Sequence, residues 1–186
     1  LGTSKDPAVR PAILKALSED PFWGVRLEAA RALRGAGGED LREALAKAFA
    51  AEKRSTVRRE IIQALGEFAG VELREFLRTA FADDPSPFVA ADALRALARI
   101  DPAEALPDAM KALERDSHGE ELRVAAIQCI AKNDRMEGVE KERSIDLLLG
   151  LFARGKPVPV RTAAAAALVK MGRGVERVYK VLSAAV

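Results

Sequence analysis

The stretch Asp20-Pro-Phe-Trp-Gly-Val-Arg-Leu-Glu-Ala-Ala-Arg-Ala-Leu33 decides how this chain is read. Counted from Val25, it puts small or apolar residues at Val25, Ala29, Ala32 and Leu33, and offsets of 0, 4, 7 and 8 mark one face of an α-helix. The same offsets return from Val57 (Ile61, Ala64, Leu65), Val89 (Ala93, Ala96, Leu97), Leu122 (Ala126, Cys129, Ile130) and Val160 (Ala164, Ala167, Leu168). From anchor to anchor the numbering steps by 32, 32, 33 and 38, so the chain is an internal repeat.

A second amphipathic helix follows each of these, marked by Leu45/Phe49, Leu77/Phe81, Ala109/Leu113, Leu148/Phe152 and Val178/Leu182. With the anchor helix labelled A and its follower B, the A-to-B offset is 20, 20, 20, 26 and 18, whereas the return from B to the next A is 12 or 13. The extra length of the fourth pair is expected between Ala131 and Glu140. A leading helix over Asp6 to Ser18 carries Ile13/Leu17, as far ahead of Val25 as Leu45/Phe49 is ahead of Val57, and therefore reads as a B helix without its A. Asp20-Pro21 and Asp84-Pro85 are expected to cap helices with a carboxylate, and Gly35, Gly66, Gly70, Gly150 and Gly172 to close them. No stretch alternates in the way a strand does. The expected fold is all-α: a right-handed α-α superhelix of five helix pairs plus a leading half repeat, forming one domain over residues 1–186.

Composition narrows the function. The chain has 186 residues, 30 Lys+Arg against 28 Asp+Glu, one His and one Cys. One Cys makes no internal disulfide, and one His with one Cys falls short of a zinc ligand set. Its net charge of +2, with 14 basic and 15 acidic residues up to residue 93 and 16 and 13 after it, shows no basic stripe for nucleic acid. No apolar run approaches the roughly 18 residues of a membrane span. Leu1-Gly-Thr-Ser-Lys5 has no initiator Met and no signal-peptide order, which suggests a piece of a longer protein.

The pattern Asp-x(4)-Val-Arg-x(2)-Ala-x(2)-Ala-Leu, complete at Asp20, Val25, Arg26, Ala29, Ala32 and Leu33, resembles the short bacterial form of the HEAT repeat across essentially the whole chain. The leading Asp is kept only at Asp20 and Asp84, and the Arg becomes Ala at Ala90. More narrowly, Asp20 to Leu33 and Asp84-Pro-Ser-Pro-Phe-Val89 resemble the HEAT-like region at the C-terminal end of bacterial aminopeptidase-N-like zinc metallopeptidases, which are gluzincins. The resemblance implies an accessory domain of a larger protein. The family's H-E-x-x-H motif cannot be placed here, since His118 is the sole histidine, so no catalytic, metal or cofactor residue is carried over.

Each remaining feature has a structural reading and a functional one. Arg26, Arg58, Arg123 and Arg161 recur at one offset; they form either a phosphate stripe or a ladder that pairs with acidic residues and loop carbonyls of the neighbouring repeat, and pairing is expected. Phe22 and Trp23 are a docking hook or a packing contact. His118 is expected at the surface, Cys129 as a buried inert thiol in place of Ala, and Ala163 to Ala167 as a tightly packed helix face. Asp134, Arg135 and Met136 lie where the repeat is broken, the usual place for a binding loop in repeat proteins. The outer faces of the B helices carry Arg42, Glu43, Lys47, Arg74, Glu75, Arg78, Asp108 and Lys111, mixed in sign.

The function expected is a non-catalytic protein-interaction module, with a protein partner, no cofactor, no nucleic acid and no membrane insertion. A free-standing adaptor is the alternative, ahead of a HEAT-fold enzyme of the DNA glycosylase or bilin lyase type. Val9, with Phe22 and Trp23 beside it, is expected on an open N-terminal apolar edge, covered by a preceding domain or by a second copy of the chain.

Overall fold

The computed structural model describes residues 9–184 apart from 69, 134, 135 and 154. The described residues form eleven α-helices: α1 (Val9–Glu19), α2 (Trp23–Ala32), α3 (Glu39–Ala51), α4 (Ser55–Leu65), α5 (Val71–Asp83), α6 (Pro87–Ile100), α7 (Leu106–Glu114), α8 (Glu121–Lys132), α9 (Gly138–Phe152), α10 (Val158–Met171) and α11 (Glu176–Ser183). A 3-10 turn over His118–Glu120 precedes α8. The all-α class and the helix count agree with the repeat pattern. The chain divides into two compact units, Leu1–Ile100 and Asp101–Val186.

In the first unit the A helices α2, α4 and α6 pack in succession, and each B helix packs most extensively on the A helix that follows it: α1 on α2, α3 on α4, α5 on α6. Short turns of three residues cause this pairing, since 20–22, 52–54 and 84–86 bring consecutive helices directly back on one another, whereas five or six residues separate A from the B that follows. So α1 is the first member of a packed pair with α2. In the second unit α7 packs on α8, α9 on α10, and α8 on α10, the same pairing pattern, although the B-to-A connections there are longer than three residues. There the helix with the least packing is α11, which buries only Val178.

The repeated offsets form the core. Val57, Ile61, Ile62, Ala64 and Leu65 of α4, with Val89, Ala93, Leu94 and Ala96 of α6, are fully buried in the first unit, as are Ala126, Ile127 and Ile130 of α8 with Ile145 and Leu148 of α9 in the second. Each buried Leu, Ile or Val stabilises by about 1.5–3 kcal/mol relative to exposure, so the periodic stripe is sufficient to hold each stack.

Three local expectations change. Asp20 and Asp84 do not cap helices. Their carboxylates accept the backbone N–H two residues on, from Phe22 and Ser86 at 2.8 Å each, so they form Asx turns ahead of α2 and α6, with Pro21 and Pro85 inside the turns. Of the glycines, Gly66 and Gly172 do close α4 and α10, with negative φ, and Gly35 follows α2 with positive φ, whereas Gly70 stands at the start of α5 and Gly150 lies inside α9. Lastly, the extra length of the fourth pair is mostly helix. Five residues, 133–137, separate α8 from α9, against six between α2 and α3; the excess appears as additional helix at the end of α8 and the start of α9.

Candidate protein-interaction surfaces

The Arg ladder is built the same way twice. Arg26 donates through Nε and Nη2 to Glu52 (2.6 and 3.1 Å) and through Nη1 to the carbonyls of Asp20 and Pro21 (2.8 and 3.2 Å). One repeat later Arg58 donates to Asp84 (2.8 and 3.0 Å) and to the carbonyls of Lys53 and Glu52 (2.8 and 3.2 Å). Each guanidinium therefore ties its own preceding B-to-A turn to the next such turn. Arg123 holds the Leu113 carbonyl (2.9 Å) and the carboxylates of Asp116 (2.7 Å) and Glu120. Arg161 reaches the Phe152 carbonyl at 3.3 Å and lies over the Phe152 ring. The expected pairing with an acid of the neighbouring repeat and with loop carbonyls is what the geometry shows for Arg26 and Arg58, whereas Arg123 pairs with acids of its own preceding turn.

Glu52 shows what that pairing does to a carboxyl group. Burial pushes its pKa up, but the hydrogen bond from Arg26, the backbone N–H groups of Arg54 and Lys53 and the Arg26 charge pull it further down, below its ordinary 4.5.

A second polar network, which sequence reading missed, crosses the A helices of the first unit. Asp92, buried in α6, accepts from Arg59 Nε, Gln63 Nε2 and Arg95 Nη1, each at 2.9 Å. Glu60 takes Arg31 at 3.0 Å and Arg34 at 2.5 Å. An acid at offset 3 from Val57 and Val89, facing bases of the preceding or the same helix, was the available signal.

Of the predicted site residues, the structure places Phe22 and Trp23 side by side. Phe22 is 60% exposed, Trp23 37% and Val25 40%, with the two rings 5.8 Å apart at the start of α2, while Val9 at the start of α1 is half-buried. Val25 is the informative member. The equivalent anchors Val57 and Val89 in the same unit are fully buried, because α4 is covered by α2 and α6 by α4. Among the described residues, nothing covers that face of α2. Met136 is 4% exposed, and its Sδ accepts a hydrogen bond from the Ser144 hydroxyl at 3.2 Å, so its side chain fastens the connection to α9 and is not offered outward. Asp134 and Arg135 lie outside the described residues.

The other candidates fall as follows. Cys129 is buried, its Sγ 3.8 Å from the Ala105 carbonyl, and burial pushes the thiol up to about 12, which removes the thiolate needed for nucleophilic chemistry. His118 is exposed. Asp108, expected on the outer B face, is instead buried, 3.5 Å from Lys111. Among the described residues no group of three His, Cys, Asp or Glu could hold a metal ion, and no helix is long and apolar enough to cross a membrane.

Two recesses accompany these surfaces. One, of about 640 Å³, lies between α1 and α3; the other, of about 500 Å³, lies between the end of α10 and α11, where Tyr179 is 75% exposed.

Paired helices recurring at a nearly constant step, joined by an Asp turn and clasped by the Arg of the Val-Arg anchor, make a specific combination, and the model of the HEAT-repeat family matches residues 10–98 and 74–169. The chain belongs to the HEAT-repeat family. The matches leave out little beyond α11, so the HEAT repeats account for nearly all of both units. HEAT repeats point to a protein-interaction or scaffold-type domain. No curated protein matches the chain.

Proposed function

We propose that this HEAT-repeat chain is a non-catalytic docking module that binds a neighbouring domain or protein through the N-terminal edge of α2. The observation that carries the reading is the exposure of Phe22, Trp23 and Val25 on a helix whose counterparts α4 and α6 keep the same anchor fully buried. Three apolar side chains together at a helix start, one of them tryptophan, have the composition of an interface centre. The repeat interior supports the same reading: its arginines are engaged in clasps, and the thiol is buried and protonated.

For the parent protein we infer a gluzincin-like metallopeptidase, on the strength of the resemblance of Asp20 to Leu33 and Asp84 to Val89. The full reading frame tests that inference, an upstream H-E-x-x-H segment supporting it and an initiator Met directly before Leu1 opposing it.

Trp23 is the sole tryptophan, so its emission reports on the edge alone. In the isolated chain at low concentration the emission is expected to be solvent-shifted and open to acrylamide quenching. Docking of a partner, or of a second copy at high concentration, should shift it to the blue. Trp23→Ala should weaken that association by about 2 kcal/mol, as loss of a tryptophan hot spot does. Sedimentation of wild type and Val9→Asp measures the self-associating case. Emission that is already blue-shifted and protected from quenching in the monomer refutes the open edge.

A further inference from the structure

The cleft between α1 and α3 has a physical cause that can be read from the repeat itself. At the next junction of B helices, α3 meets α5 through Phe49 and Phe76, packed edge to face with ring centroids 5.3 Å apart. One repeat back, Phe49 becomes Leu17 of α1 and Phe76 becomes Ala44 of α3. Both residues line the cleft. Where the α3–α5 junction is closed by two rings, the α1–α3 junction has a leucine and a methyl group, and a recess of about 640 Å³ remains, within the roughly 300–1,000 Å³ of ligand pockets.

The floor is apolar, made by Leu14, Leu17, Ala44, Ala48 and Ala51. Its rim carries Lys15, Lys47 and Lys53, all exposed and without an ion pair among the described residues. Of the acids in the lining, Glu52 is neutralised by Arg26, and Asp20, which accepts the Phe22 N–H, and Glu19 remain against the three lysines. The floor extends over Ala44 to Ala51, about 10 Å of helix, enough for a few residues of peptide. Residues 1–8, which precede α1, contain no aromatic side chain.

We propose that the α1–α3 cleft binds an acidic peptide segment of a partner protein, with one aromatic side chain inserted against Leu17 and over Ala44 and the flanking carboxylates on Lys15, Lys47 and Lys53. This rests on the protein-interaction reading above but uses a different surface from the α2 edge.

The test is fluorescence anisotropy of the full chain with a fluorescein-labelled peptide, Glu-Asp-Glu-Phe-Glu-Asp-Leu-Glu, and two controls, one with Phe replaced by Ala and one with its acids replaced by Lys. Saturable, salt-sensitive binding of the first peptide is expected, with each control weaker by about tenfold or more. Ala44→Phe, which restores the ring found at Phe76, should lower affinity by about tenfold or more while Tm stays level or rises. Should Ala44→Phe not fold, the doubly charge-reversed Lys15→Glu/Lys47→Glu, at exposed positions, decides with the same expected loss. No saturable binding up to about 1 mM, or equal affinity for the Phe and Ala peptides, overturns the proposal. Trp23→Ala separates the two surfaces: peptide binding unchanged in this variant supports a distinct cleft site, and its loss refutes one. A chain that ignores the peptide yet still docks at Trp23 retains the interaction reading without the cleft.

Discussion

At the residue scale the Arg58–Asp84 clasp concentrates the largest single penalty. Asp84 is 4% exposed at its side chain and Arg58 11%, so removing the guanidinium leaves a buried carboxylate with little more than the Ser86 N–H to hold it. Arg58→Ala is expected to lower the unfolding free energy by about 3 kcal/mol, the usual cost of orphaning a buried charge. Arg161→Ala loses a carbonyl contact and a ring contact and should cost only about 1 kcal/mol. Urea melts of both variants check the order, and an equal cost would show that the clasp holds the fold no better than the Arg161 contacts do. Glu52 adds a pH dependence. Its folded pKa lies below the ordinary 4.5, so its contribution is fully present above that value and is lost as the pH falls through it towards the folded pKa. Acid unfolding of Glu52→Gln should therefore be shallower below about pH 4.5 than that of wild type, with the two profiles parallel at neutral pH.

At the scale of elements, α11 and α10 should behave differently. The eight residues of α11 bury Val178 alone, and the helix is tied to α9 by Arg177, paired with Glu142 at 2.5 Å and Asp146 at 3.0 Å. These are surface pairs, each contributing under about 1 kcal/mol. By contrast α10 buries Val160, Ala164, Ala167, Leu168 and Met171. Hydrogen exchange followed by mass spectrometry should find the α11 amides exchanging about 100-fold faster than those of central α10, because local opening costs only what the element buries. Protection equal to that of α10 would mean that α11 is held by contacts beyond those seen. The short B-to-A turns act at this scale too: Asp20 and Asp84 each satisfy one N–H of their turn, and Arg26 takes up the carbonyls of the Asp20 turn while Arg58 holds the Asp84 carboxylate.

For the whole molecule, charge decides between partner classes. Thirty basic residues are nearly balanced by 28 acidic ones, and many of the arginines are already bound to carboxylates within the repeats. A polyanion would have to displace those carboxylates. Titration with duplex DNA at physiological salt is expected to give nothing tighter than the roughly micromolar level of nonspecific binding. Tighter, steeply salt-dependent binding would favour an enzyme of the glycosylase type over a docking module. Far-UV circular dichroism after exhaustive chelation should show unchanged helicity, since the apolar stripes of the repeats account for the folding of each unit.

The sequence by itself determined the helices, their number and the periodic face of each, because an α-helix imposes a regular period and that period is written at Val25, Val57, Val89, Leu122 and Val160 alike. It also anticipated the partners of Arg26 and Arg58, since a guanidinium repeated at one offset meets the same turn chemistry in these two repeats. Only the tertiary structure decided which helix packs on which: three-residue turns favour B with the following A in the first unit, the second unit keeps that pairing with longer connections, and offsets along one helix do not record either. Exposure was likewise beyond reach. Val25 and Val57 are the same residue at the same offset, and what separates them is whether another A helix lies alongside. Ala44 is an ordinary small helix residue until Phe76 is found at the equivalent place, because a cleft is defined by the atoms missing between two elements, and no single element carries that information.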